Sequence, residues 1–140
     1  LLLGTVMGMD SPCNASTPIV LTVNEVAEII EQIGNSYLAA YADTQVLSIR
    51  GESLTDWFDR LGEKVRLVRF TDGNYNGYRI WGKGVLPAEK LAEEIYRTGF
   101  NGLISFQIPG ERYCENPKDA QKQNHFRALS AWREVMDCQR

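Results

Sequence analysis

The sequence predicts a parallel α/β fold of four consecutive βα units, the number found in half of a (β/α)₈ barrel. Short apolar runs alternate with longer segments of helical periodicity, a pattern typical of βα units and a parallel sheet. The predicted strands lie about thirty residues apart, and no linker or low-complexity stretch separates them. A complete (β/α)₈ barrel needs about 250 residues, whereas this chain has 140. We therefore treat residues 1–140 as one domain with the architecture of a half-barrel.

The first unit is predicted from an apolar run and a helix start signal. Leu1 to Met7 is continuously apolar, as expected for a strand buried on both faces, and the polar segment Asp10 to Pro18 is a loop. Thr22-Val23-Asn24-Glu25 has the spacing of a capping box and begins a helix that ends at Gly34. The helix is supported by apolar residues at helical intervals, namely Val26, Ile29, Ile30 and Ile33.

The second and third units follow the same pattern. Tyr37 to Asp43 is the second strand, and Ser53 caps a short helix that ends at Gly62. We expect one face of this helix to pack on the sheet through Trp57, Phe58 and Leu61. Lys64 to Phe70 is the third strand. The glycine-containing loop from Thr71 to Gly84 follows it, and we expect this loop to carry binding groups.

The fourth unit completes the half-barrel. Pro87 at a first helical position begins a helix that ends at Gly99, Leu103 to Ile108 is the last strand, and Asn116-Pro117 opens the closing helix. Four strands leave two open sheet edges and an uncovered inner face. We therefore expect a homo-oligomer or a missing N-terminal half.

Composition and charge restrict the classes of function. With 44% hydrophobic and 24% charged residues the chain is not disordered, and its apolar runs are far shorter than the roughly 20 residues that span a bilayer. A net charge of −3 without a basic run argues against a nucleic-acid partner. The chain begins without Met or a signal peptide, so we expect a piece of a longer protein. Its three cysteines form no C-x-x-C pair, which favours the reducing cytoplasm.

Four segments carry a resemblance to a known family. They are the segment from Val26 to Thr44, the strand and turn Val65 to Gly73, the glycine-containing segment Arg79 to Pro87, and the strand Gly99 to Gln107. In this order they resemble the last four units of the xylose-isomerase-like TIM barrels, the sugar phosphate isomerase and epimerase superfamily that includes D-tagatose 3-epimerase-like enzymes. The resemblance implies that residues 1–140 form the C-terminal half of such a barrel.

The resemblance also implies a metal site. In this family a divalent cation, commonly manganese, is bound by Glu, Asp, His and Glu, one from each of these units. The cation polarises the sugar carbonyl while a carboxylate moves the neighbouring proton. Carried over to this chain, the four positions fall on Gly4, Asp43, Arg69 and Gln107. Asp43 is thus the one retained ligand.

The other replacements point to an altered or inactive site. The family's substrate-contacting His falls on Val46, and the first His of its H-x-H pair falls on Leu67. A guanidinium such as that of Arg69 has no lone pair for a metal, and an amide does not accept a proton near neutral pH. We assign no catalytic residue and expect no cofactor unless the family's manganese site functions. Asp43 is then a metal ligand or a partner of Arg69 across the barrel mouth.

Three residues are candidates for contacting a small-molecule sugar or sugar phosphate. Asp72 either holds a sugar hydroxyl or forms the turn before Gly73, and Arg79 and Trp81 either bind the ligand or pack within the loop. The lone His125 is expected at the surface or the edge of the core, and Cys114 is read as incidental.

Two functions remain open at this stage. One is an isomerase or epimerase half-barrel acting on a ketose or its phosphate. The other is a non-catalytic binding or scaffold module, a pseudoenzyme or truncated remnant that retains the fold.

Overall fold

The computed structural model describes residues 1–5, 20 and 22–138. Its main sheet has four parallel strands in the order β1 (Leu2–Leu3), β2 (Ala39–Asp43), β3 (Val65–Arg69) and β6 (Leu103–Ser105). A separate antiparallel hairpin is formed by β4 (Asp72–Asn74) and β5 (Gly77–Arg79). The parallel order confirms the predicted succession of βα units.

Within the described residues four α-helices lie between strands and a fifth follows β6. They are α1 (Val23–Ile33), α2 (Thr44–Arg50), α3 (Leu54–Leu61), α4 (Ala88–Arg97) and α5 (Pro117–Asp137). Short 3₁₀ turns lie at Gly62–Lys64 and Gly110–Tyr113. Within the described residues, no helix is both long and apolar enough to cross a membrane.

Helix starts and ends follow the predicted signals closely. The Thr22 hydroxyl accepts a hydrogen bond from the Glu25 backbone N–H, and the Glu25 carboxylate accepts one from the Thr22 N–H at 2.9 Å. Gly34 ends α1 in the left-handed region with φ +60°. Ser53 and Asp56 form a second capping box at α3. The predicted helix boundaries at residues 22–34 and at Ser53 are thus confirmed.

One face of the sheet carries the hydrophobic core. Ala40, Ala42 and Val68 are fully buried beneath the helices. As predicted, α3 packs inward, with Trp57 fully buried, Leu61 also buried, and Phe58 against Phe100. The indole N–H of Trp57 donates to the Glu52 carboxylate at 2.9 Å, so this buried polar group is satisfied.

Among the residues that the structure describes, no helix covers the opposite face of the sheet. Side chains alternate along a strand, so Tyr41, Leu67 and Arg69 point away from the core. Leu103, opposite Leu67 in the register, is 73% exposed. In the described sheet β1 and β6 each lie at an edge. This is the geometry of a half-barrel whose inner face and edges are open.

Two elements differ from the prediction. Helix α2 was not predicted; it begins directly after β2 because the Asp43 side chain caps it. The predicted loop Thr71 to Gly84 contains the β4–β5 hairpin, whose Asn76-Gly77 pair is a strong hairpin signal. The last strand is also shorter than expected, since it ends at Ser105.

Several predictions concern residues at the margins of the described chain. The first strand is described only as Leu2–Leu3; Met7 and the predicted loop from Asp10 to Pro18 lie outside the described residues. Cys114 and Cys138 are free and exposed, whereas Cys13 is not described. The reducing compartment stays a prediction.

Candidate functional site

The candidate site lies where the sheet, the hairpin and the segment after β6 meet. A groove of about 610 Å³ runs there. Its lining is Asn76, Gly77 and Tyr78 from the hairpin, together with residues 107–112. Gln107, at the position of the family's last Glu, is exposed on this groove. The carboxyl end of a parallel sheet is where α/β folds place their binding sites.

Asp43 lies behind this groove with both carboxylate oxygens engaged. Oδ1 accepts hydrogen bonds from the backbone N–H groups of Gln45 and Val46 and from the Thr71 hydroxyl at 2.8 Å. Oδ2 accepts one from the phenol of Tyr78 at 2.8 Å. The side chain is 2% exposed. Asp43 therefore caps α2 and joins three elements of the site.

Burial controls the protonation of this carboxyl group. Desolvation raises the pKa of Asp43 above its ordinary value, because the charged form loses its water. The hydrogen bonds from Thr71, Tyr78 and the α2 backbone act in the opposite direction and are the smaller effects. The net result is a carboxyl group that protonates more readily than an exposed one.

Arg69 lies near Asp43 in the sheet but stacks on Tyr41. The two residues Asp43 and Arg69 are partners in the β2–β3 register. The guanidinium carbon of Arg69 lies 4.5 Å from the centre of the Tyr41 ring, a cation–π contact. Within the described residues no ion pair joins Arg69 to Asp43. The pairing considered from the sequence is therefore not formed: the guanidinium stacks on Tyr41, and the Asp43 oxygens accept hydrogen bonds from other groups.

Gly4 makes room for the Tyr41 ring. A Cβ atom at Gly4 would lie 2.6 Å from two Tyr41 ring atoms and 2.7 Å from the Tyr41 carbonyl oxygen. Both separations are shorter than side chains tolerate. The volume of a longer side chain at Gly4, such as the family's Glu, is thus taken by Tyr41.

Asp72 organises the loop that follows the hairpin. Its Oδ2 accepts from the backbone N–H groups of Gly82 at 3.0 Å and Gly84 at 2.9 Å, and its Oδ1 accepts from Leu86 at 3.1 Å and from Gly73 at 2.7 Å. The residue is 1% exposed. Its contact with a substrate stays a prediction, whereas its hold on this loop is a feature of the structure.

Trp81 and Arg79 are placed differently from each other. Trp81 is 4% exposed; its ring stacks on Phe70 at 4.4 Å, and its indole N–H donates to the Phe70 carbonyl oxygen at 3.1 Å. Arg79 is half-buried, and its guanidinium donates to the Tyr78 carbonyl oxygen at 3.0 Å. Neither residue lines the groove described above. Their contact with a ligand also stays a prediction.

The donor set does not fit a divalent cation. Across residues 1–5 and 22–138, no three His, Cys, Asp or Glu side chains lie close enough to share one. Gly4 has no side chain, the Arg69 guanidinium offers no lone pair, and the two Asp43 oxygens already accept four hydrogen bonds. Val46 is a buried apolar residue of α2. His125 is exposed, with its ring edge-on to Phe106.

The sequence did not single out three residues that build this site. Thr71 and Tyr78 hold the Asp43 carboxylate, and Tyr41 holds Arg69. The Asn76-Gly77 pair could have indicated the hairpin and hence Tyr78. No local signal indicates the contacts of Tyr41, since they depend on strand register.

Comparison with known proteins supports a relationship to sugar epimerases. Fructoselysine 3-epimerase of Escherichia coli O157:H7 is 26% identical over 131 residues, which are 88% of this chain and 47% of that protein. The same enzyme of Shigella flexneri is also 26% identical over 131 residues. The chain thus spans about half the length of the curated relatives it matches. No family profile matches the chain.

Solved structures share the fold. L-ribulose 3-epimerase superimposes with a TM-score of 0.66 at 12% identity, covering 86% of this chain and 45% of that one. D-psicose 3-epimerase of Clostridium cellulolyticum H10 gives 0.61 at 16% identity, covering 96% and 47%. The 3-keto-D-glucoside 4-epimerase of E. coli gives 0.58 at 15% identity, covering 77% and 41%. Together with the sequence relatives, these likenesses indicate the fold of a xylose-isomerase-like TIM barrel, of which this chain spans about half.

Proposed function

We propose that this chain is the sugar-binding C-terminal half of an epimerase-like barrel. The observation that carries the proposal is the match to sugar 3-epimerases over 88% of the chain. Chemical support comes from the groove at the carboxyl end of the sheet. Its lining includes Gln107, with an amide side chain, and the charged residues Glu111 and Arg112. Such donors and acceptors match the hydroxyl groups of a sugar.

The proposal includes a second half-barrel. The relatives are about twice as long as this chain, and the edges β1 and β6 of the described sheet are open. Four further parallel strands, from an N-terminal half or a second copy, would close the barrel and cover its inner face. We expect sugar binding to require that closure.

The experiment uses hydrogen exchange at carbon. Epimerisation beside a carbonyl removes and returns a carbon-bound hydrogen, so an active enzyme in D₂O places deuterium in its substrate. The full-length protein is incubated with a panel of ketoses and their phosphates, with and without Mn²⁺, and deuterium is read by NMR. Deuterium incorporation supports an active epimerase. If no sugar of the panel binds or exchanges, the sugar-binding proposal is wrong.

A non-catalytic sugar-binding module is the second candidate. It is favoured by the donor set, in which Gly4, Arg69 and Gln107 stand at three of the four metal positions implied by the resemblance. This candidate predicts saturable sugar binding in calorimetry without deuterium incorporation at any metal concentration. Exchange that is lost in a Gln107→Ala variant would contradict it.

A further inference from the structure

We infer that the Arg69 guanidinium, held against Tyr41 on the inner face of the sheet, is an anion-binding group, and that the sugar bound by the barrel carries a carboxylate or phosphate group. The inference rests on the proposed sugar-binding function and specifies the class of sugar. It begins from the mismatch between the donor set and a divalent cation. Where the resemblance implies a bound metal ion, this chain has the positively charged side chain of Arg69.

The position of Arg69 suits a ligand. It ends β3 on the inner face of the sheet, level with Asp43 on one side and Ser105 on the other. It is half-buried, so its charge is partly desolvated and still accessible. Partial removal from water strengthens the attraction between a cation and an anionic group.

The stacking on Tyr41 leaves the hydrogen-bonding edge of the guanidinium available. Stacking uses the flat face of this group, whereas its five N–H donors lie in the plane. Within the described residues, Arg69 has no carboxylate in ion-pair contact. A planar fork of donors matches the two oxygens of a carboxylate or phosphate.

The Asp43 carboxylate, the register partner of Arg69, makes no ion pair with this cation. Both Asp43 oxygens accept hydrogen bonds from groups other than Arg69, among them the hydroxyls of Thr71 and Tyr78. Asp43 is also almost completely buried. The Arg69 guanidinium is therefore available to pair with an anionic group of a ligand.

Gly4 and Tyr41 fix the guanidinium in place. The Tyr41 ring occupies the space that any Cβ at Gly4 would need. The same ring supports Arg69 at 4.5 Å. Tyr41 is thus a positioning residue. Its ring fits because Gly4 has no side chain, and the same ring holds the Arg69 guanidinium.

The test compares neutral and anionic sugars on the full-length protein. Calorimetry at fixed ionic strength measures the affinity for D-fructose, D-gluconate and D-fructose 6-phosphate, with inorganic phosphate as a further probe. We expect at least one anionic sugar to bind about tenfold or more tightly than the neutral ketose, the effect of a charge-assisted pair. The two anionic sugars distinguish a carboxylate ligand from a phosphate ligand, and inorganic phosphate shows whether the anion binds without the sugar.

Matched variants locate the effect. Arg69→Leu should remove the preference for the anionic sugar, whereas Arg66→Leu, which changes an exposed arginine three residues away on β3, should retain it. Tyr41→Leu should weaken anion binding several-fold, and Tyr41→Phe, which keeps the ring, should restore it. A purely structural role of Tyr41 would lower neutral-sugar and anionic-sugar affinity equally.

The outcomes separate this inference from the proposed function. Equal affinity for neutral and anionic sugars, or an anion preference that survives in Arg69→Leu, overturns the inference and leaves sugar binding intact. A protein that binds no sugar of either class overturns both. If Arg69→Leu fails to fold, Arg69→Lys provides the comparison. The lysine ammonium keeps the positive charge but lacks the two parallel donors of a guanidinium, so the preference for the anionic sugar should be reduced and not lost.

Discussion

The phenol of Tyr78 donates a 2.8 Å hydrogen bond to Oδ2 of Asp43, a residue 35 positions earlier in the chain. This contact joins the β4–β5 hairpin, which lines the groove, to the carboxyl end of β2. A buried carboxylate needs such donors because burial removes its water. The hairpin and the sheet are therefore coupled at the candidate site.

Removing the Tyr78 hydroxyl should destabilise this coupling. We expect Tyr78→Phe to lower the free energy of unfolding by about 1–3 kcal/mol, the usual cost of leaving a buried acceptor without its donor. Urea denaturation measures the change. Tyr75→Phe is the matched control, because Tyr75 is an exposed residue of the same hairpin; an equal loss in both variants would show that the Asp43 contact is not responsible.

A side chain at Gly4 should displace the Tyr41 ring. We expect Gly4→Ala to cost about 1–3 kcal/mol, as overpacking does in a closely packed site. In a Tyr41→Ala background the same change should cost less, because the clash with the ring is gone and only the contact with the backbone carbonyl oxygen of residue 41 remains. Additive effects in this double-mutant cycle would refute the coupling.

The Mn²⁺ affinity of a variant with the family's metal ligands restored should depend on residue 41. Gly4→Glu, Arg69→His and Gln107→Glu together should bind Mn²⁺ poorly while Tyr41 remains, because Tyr41 fills the space of the first ligand. Adding Tyr41→Ala should raise Mn²⁺ affinity, measured by calorimetry. Equal affinity in the two backgrounds would show that Tyr41 does not block the site.

The burial of Asp43 gives stability a pH dependence. Because burial raises the pKa of Asp43 in the folded state, its contribution is greatest below the ordinary value of 3.8 and is lost as pH rises through the folded pKa. Asp43→Asn cannot ionise and can still cap α2. We expect wild type to lose stability relative to this variant as pH rises from acid towards neutral in urea titrations. The opposite trend would mean that the hydrogen bonds outweigh burial.

Asp72 should hold the loop from Gly82 to Leu86. We expect Asp72→Ala to cost about 2–4 kcal/mol, because four backbone N–H groups lose their acceptor. Amide hydrogen exchange should accelerate at Gly82, Gly84 and Leu86. Asp59→Ala on the exposed face of α3 is the control and should change neither stability nor exchange by much.

Local signals predicted the elements well. The capping boxes at Thr22 and Ser53 and the glycine at Gly34 determine helix ends through contacts within a few residues, so they can be read from the sequence. Helix α2 was missed because its cap, Asp43, is also the end of a strand and was interpreted only as a site residue. The short runs of β4 and β5 were missed for a related reason, since three residues show too little alternation.

The sequence by itself determined the order of the βα units, most helix boundaries and the family resemblance, because these depend on local pattern. Only the tertiary structure decided what the site residues touch. The register of β2 against β3 brings Arg69 level with Asp43, yet the guanidinium stacks on Tyr41 and the carboxylate accepts from Thr71 and Tyr78. These contacts join residues far apart in the chain, and their geometry follows from packing between elements, which no local pattern encodes.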